Sequence, residues 1–132
     1  MWTDDWVGIP YKLGGRTRQG MDCVGLVQAL LLERQGVRMS DPGSRIADHR
    51  EALRLARSKT QWARMDTDET CEGDVLVFRA NARERLHLGY VVNRWDMIHT
   101  GGSDLMATSY SRVDRWKSKH WSPLLLECWR HG

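Results

Sequence analysis

One cysteine and two histidines have the residue types and the placing for nucleophilic chemistry. Cys23 stands at the expected start of an apolar helix, directly behind the glycine-rich stretch GIPYKLGGRTRQGMD, residues 8–22. A helix N-terminus offers unpaired backbone N–H groups and partial positive charge, and both favour a thiolate over a thiol. His87 opens one expected strand, and His99 lies near the end of the next, twelve residues on. If those strands pair as neighbours, the imidazoles meet at one end of a sheet, where the helix start can pack. His87 then accepts the Cys23 proton, and His99 fixes the tautomer and ring orientation of His87. Spacing alone leaves other readings open. A cysteine at a helix start and a histidine in a strand are each more often structural, and one Cys with two His is also a zinc-ligand set. His49, His120 and His131 read as surface or satisfied core residues.

The elements that must position these side chains follow from hydrophobic period and breakers. Residues 3–8 read as a short opening helix with Thr3 as its cap and two Asp in the first turn. Pro10, Gly14, Gly15 and Gly20 make residues 9–21 an ordered loop. Asp22 can cap the next helix, Val24, Leu26, Val27, Leu30 and Leu31 supply a broad apolar face, and Gly36 stops it. After a loop with Pro42 and Gly43, an amphipathic helix fits residues 48–58. Strands then fit residues 73–79, 87–93, 96–100, 104–111 and 124–130. Helices first and strands second predict an α+β fold, with N-terminal helices packed on a central antiparallel sheet.

Size and composition bound the function classes. A chain of 132 residues without repeats or linker-like segments reads as one domain, residues 1–132. A formal charge of +3 with scattered Lys and Arg suits an anionic partner, including an acidic cell-wall polymer. It argues against nucleic acid. No apolar run reaches the roughly 20 residues of a membrane span, and MWTDDWVG lacks the basic start of a signal peptide. The three cysteines, Cys23, Cys71 and Cys128, form no C-x-x-C pair, and Cys71 and Cys128 read as ordinary reduced or buried residues. Seven tryptophans are many for this length. Trp95, Trp116, Trp121 and Trp129 read as core or edge packing, with a groove or an interface as the alternative.

The motif around Cys23 resembles the active-site segment of the NlpC-type bacterial and phage cell-wall cysteine peptidases. Their pattern runs G-x-P-Y, a G-G pair, then G-x-D-C-S-G-L-V. Gly8, Pro10, Tyr11, Gly14, Gly15, Gly20, Asp22, Cys23, Gly25, Leu26 and Val27 match it. Downstream, GDVLVF, HLGYVV and MIHT are similar to the family's G-D-L-V-F, H-V-G-I-Y and I-H-A segments, in the same order. The likeness covers about residues 5–100 and is closest in character to compact, phage-tail-associated members.

The resemblance implies a papain-like fold and a thiol protease that needs no cofactor or metal. The implied substrate is bacterial peptidoglycan, cut in its stem peptides, commonly between D-glutamate and diaminopimelate. By motif position, Cys23 is the nucleophile, His87 the base and later the acid, and His99 the third polar member. The Cys23 N–H helps hold the oxyanion. Tyr11 adds a second donor or a substrate contact, and Asp22 contacts substrate unless it serves only as helix cap. Val24 departs from the usual Ser, and Lys12-Leu13 from a segment that often carries an aromatic. Both leave the substrate preference open. Phage-tail proteins are the second implied partner. The place would be a virion tail, or the bacterial cytoplasm before assembly, with action on the cell wall. The alternative is a structural or interaction module of a tail tip whose peptidase site is unused or regulatory.

Overall fold

The central helix α1 runs from Cys23 to Gln35 and carries the core. Val24, Leu26, Val27, Leu30 and Leu31 are completely buried along it. Each large aliphatic side chain buried in this way contributes roughly 1.5–3 kcal/mol. Gly36 ends the helix at φ +68°, a left-handed conformation that favours glycine, and its N–H returns to the carbonyls of Leu31 and Leu32. The computed structural model describes residues 1–39, 62–79, 86–101 and 109–132. The helix expected over 48–58 and most of the strand expected over 104–111 lie outside them.

A two-stranded hairpin, β1 (Arg16–Thr17) and β2 (Gly20–Met21), forms inside the loop that precedes α1. The remaining strands are β3 (Trp62–Arg64), β4 (Val75–Arg79), β5 (Leu86–Val91), β6 (Asp96–His99), β7 (Arg112–Arg115) and β8 (Leu125–His131). They form one antiparallel sheet in the order β3-β8-β4-β5-β6-β7. The α+β expectation therefore holds, with the sheet antiparallel. Among the described residues, no helix is long and apolar enough to cross a membrane.

The sheet is covered on both faces, and the period of two decides which residue goes where. Val75, Val77, Leu88, Tyr90 and Ile98 join the α1 core. Leu76, Phe78, Val91 and Met97 join a second cluster on the other face, with Trp116, Trp121 and Cys128. That is why β4 reads VLVF without a polar break.

Strands β5, β6 and β8 shift by one or two residues from the sequence expectation, and three further boundaries also differ. The opening turn is a 3-10 helix over Trp2–Asp5, and Thr3 is buried within it instead of capping it. Starting at Trp2 lets both Trp2 and Trp6 reach the core. Strand β4 begins at Val75, not residue 73, because Gly73 adopts φ +92° and the Asp74 carboxylate accepts the Cys71 N–H at 3.0 Å. At the last boundary, Tyr110 makes only an isolated bridge to Pro10, and the strand proper, β7, starts at Arg112.

That bridge belongs to a seam that fixes the N-terminal loop beside β7. Ser111 Oγ donates to the Trp6 carbonyl at 2.6 Å and accepts the Ile9 N–H at 2.8 Å. The Tyr11 N–H donates to the Ser109 carbonyl at 2.8 Å. The loop carrying Tyr11 therefore lies against the residues that lead into Arg112, the sheet partner of His99.

Candidate active site

Asp22 organises the helix start. Its Oδ1 accepts the Gly25 N–H at 2.9 Å and Arg16 Nη1 at 2.8 Å, and its Oδ2 accepts the Gly14 N–H at 2.9 Å. One buried carboxylate thus caps α1 and ties the glycine loop to its first turn. The approach is close enough that a Cβ at Gly25 would collide with the Gly15 carbonyl. A Cβ at Gly15 would in turn collide with the Gly20 carbonyl, so neither position has room for a side chain. Cys23 follows as the first helical residue. Val24 points into the core and is wholly buried.

The Cys23 thiol sits against the backbone of β5, beside the Leu88 N–H and the N–H groups of Val24 and Cys23 itself. Leu88 is the residue after His87, so the helix start abuts the strand that carries the candidate base. Those N–H groups favour the thiolate, as the helix-start argument expects. Burial outweighs them: the thiol is pushed up to about 12, and the Asp22 charge adds to the rise. The resting group is a neutral thiol, which corrects the expectation of a thiolate. No hydrogen bond joins Cys23 to His87 among the described residues.

The two histidines meet. His87 Nε2 and His99 Nδ1 are 2.7 Å apart, on adjacent strands, and both rings are buried. His99 Nε2 lies 2.7 Å from Asp114 Oδ2, and Arg112 Nε donates to the same oxygen at 3.0 Å. Trp121 covers the pair: it stacks on His87 at 5.2 Å between centroids and meets His99 edge-on at 5.0 Å. Phe78 packs against both His87 and Trp121.

The charges follow from this enclosure. Burial holds His87 well below the ordinary imidazole value, helped by His99 and Arg112. Burial also lowers His99, against the hydrogen bond it donates to Asp114. Asp114 is itself held below the usual carboxylate range, chiefly by its bond to His99. At neutral pH the array is therefore a carboxylate and two neutral imidazoles. Both ring nitrogens of His99 are engaged, so it offers no free lone pair to a metal. Among the described residues no cluster of three or more His, Cys, Asp or Glu is arranged to hold one.

Of the residues singled out from sequence, His87 and His99 meet on the adjacent strands β5 and β6, and the Cys23 thiol reaches the backbone of Leu88, the residue after His87. Tyr11 is half-buried in the adjoining loop, bridged to Met21. Asp22 directly precedes Cys23, with its carboxylate engaged by the loop and the helix. Sequence reasoning did not single out Asp114 or Arg112, and it read Trp121 as core or edge packing, with a groove or an interface as the alternative. The alternation R-V-D-R places Arg112 and Asp114 on one face of a strand. Only the pairing of β7 with β6 shows that this is the face of His99.

Comparison with known proteins agrees with this architecture. The family model described as "NlpC/P60 family" matches residues 8–130. The chain is 30% identical over 118 residues to the probable endopeptidase NlpC of Escherichia coli K12, covering 88% of this chain and 68% of that protein. It is 28% identical over 116 residues to the murein DD-endopeptidase MepS/murein LD-carboxypeptidase of the same strain, covering 88% of this chain. It spans only 55% of that protein's length. A crystal structure of an NlpC/P60 family protein from Bacillus cereus aligns with a TM-score of 0.68 at 16% identity, over 97% of this chain and 37% of that one. This last likeness speaks to the fold.

Proposed function

The chain belongs to the NlpC/P60 family, and from that premise we propose that it is a cysteine peptidase acting on peptidoglycan stem peptides. The observation that carries the reading is the helix-start thiol set against the strand of a buried His–His pair. His87 uses Nε2 toward His99, which leaves Nδ1 to take the thiol proton. With thiol and imidazole both neutral at rest, the proton moves only as the sulfur attacks. Sγ bonds to the carbonyl carbon, and the Cys23 N–H stabilises the oxyanion. The His87 imidazolium then gives its proton to the leaving amine, and a thioester remains. Water, deprotonated by His87, attacks the thioester and restores the thiol.

The bond we propose is the one between D-glutamate and diaminopimelate, as the sequence resemblance implies. The DD-endopeptidase activity named for the MepS relative supplies the competing choice. Mass spectrometry of muropeptides before and after incubation separates the two and tests the reaction itself. Cys23→Ala is expected to abolish cleavage while the protein stays folded. Full activity in that variant would remove Cys23 from the mechanism. A phage-tail setting rests on sequence likeness alone and is tested by probing purified virions for the chain.

A further inference from the structure

We propose that Asp114 is a positioning residue that makes His87 Nδ1 the basic nitrogen of the site. The proposal rests on His87 as the base in the reading above. An ionised carboxylate is acceptor-only, so the 2.7 Å contact to His99 Nε2 requires the proton there. A neutral imidazole has one N–H, so His99 Nδ1 is then bare. It must accept, and the 2.7 Å contact to His87 Nε2 is donated by His87. His87 Nδ1 is thereby left with its lone pair. Without the carboxylate the chain of bonds can reverse. His99 Nδ1–H would donate to His87 Nε2, and His87 would carry its proton on Nδ1, where it cannot take another from the thiol.

The surroundings hold this polarity in place. Arg112 from β7 donates to the same Asp114 oxygen at 3.0 Å and keeps it ionised. His120 is the further titratable group that acts on His99. Phe78 of β4 and Trp121, from the segment after β7, face the imidazoles with rings and add no charge. Once His87 is protonated, the bonds end on a carboxylate that can stabilise the imidazolium through His99.

The test reads the tautomers directly. The ¹⁵N shifts of the imidazoles in wild-type protein at pH 7.5 are expected to show both His87 and His99 protonated on Nε2 alone. In Asp114→Asn and Asp114→Ala that single pattern should give way to mixed tautomers. The kcat should fall roughly 10–100-fold, the usual loss for an outer partner of an active-site group, with KM little changed. Protonation of His87 on Nδ1 in the wild type overturns the proposal. So do variants that keep both tautomers and full kcat. The wild-type spectra need no variant to fold and no substrate. A failure of the peptidase reading, detected by unchanged muropeptides, is therefore distinguishable from a failure of the Asp114 role.

Discussion

Two buried cysteines, Cys23 at the start of α1 and Cys128 on β8, are nearly the same by burial. Cys23 is 8% exposed and Cys128 1%. Burial raises both thiols, Cys23 to about 12 and Cys128 to about 11. Their neighbours separate them. Cys128 on β8 lies 3.6 Å from Thr70 Oγ1 and 3.8 Å from Asp74 Oδ2. That carboxylate is clamped by Arg130, through Nε at 2.8 Å and Nη2 at 2.9 Å. Asp74 and Arg130 form a structural ion pair, and neither is a neutral base. Cys23 instead meets a helix N-terminus and the strand of an imidazole pair. Burial does not mark a nucleophile. On the proposed reading, a base that is neutral at working pH does.

The same contrast explains two uses of a carboxylate. Asp74 meets a guanidinium and its role ends in stability. Asp114 meets an imidazole, whose proton can sit on either nitrogen, and so acts on the polarity of its neighbour.

The sharpest break of the comparison is functional. His87→Ala is expected to lower peptidoglycan turnover by on the order of a hundredfold or more, while Cys128→Ala stays close to wild type. An equal loss in the two variants, at equal folded fraction, would erase the distinction. Next in size is Arg130→Ala, which leaves the Asp74 carboxylate buried without its cation. Urea unfolding should show a loss of about 3–5 kcal/mol, with muropeptide products unchanged. A loss below about 1 kcal/mol would rank the pair with exposed ion pairs.

The smallest effect sharpens the likeness of the two thiols. Below pH 9 folded and unfolded chains both keep these protons. As pH rises above 9 the unfolded thiols ionise first and the folded ones do not, until about 11 for Cys128 and about 12 for Cys23. Stability therefore falls with rising pH in that window. Cys128→Ala and Cys23→Ala should each flatten the decline between pH 9 and 11 by about 1.4 kcal/mol per pH unit. Equal slopes in variant and wild type would mean that the folded thiols ionise normally.

Much of the site was legible because its signals are local. An acceptor side chain before an apolar run, then glycine at the stop, marks α1 from Asp22 to Gly36 wherever it occurs. The strands of His87 and His99 carry their own alternation. The strand β7 was less readable. Its four residues, Arg112–Arg115, hold one apolar side chain, Val113. It is a strand because its backbone pairs with β6. Likewise β3 has only Trp62–Arg64, fixed by pairing with β8.

The sequence by itself picked out the candidate nucleophile, the two histidines and the order of the elements that present them. Residue type, capping and period are properties of short stretches of chain. Tertiary structure alone decided the charge state of Cys23. Helix position argues for a thiolate, but desolvation depends on everything packed around the sulfur, and here it wins. It also decided which nitrogen of His87 faces His99, and which carboxylate stands behind them. Asp114 lies fifteen residues beyond His99 and reaches it only because β6 and β7 pair in this register.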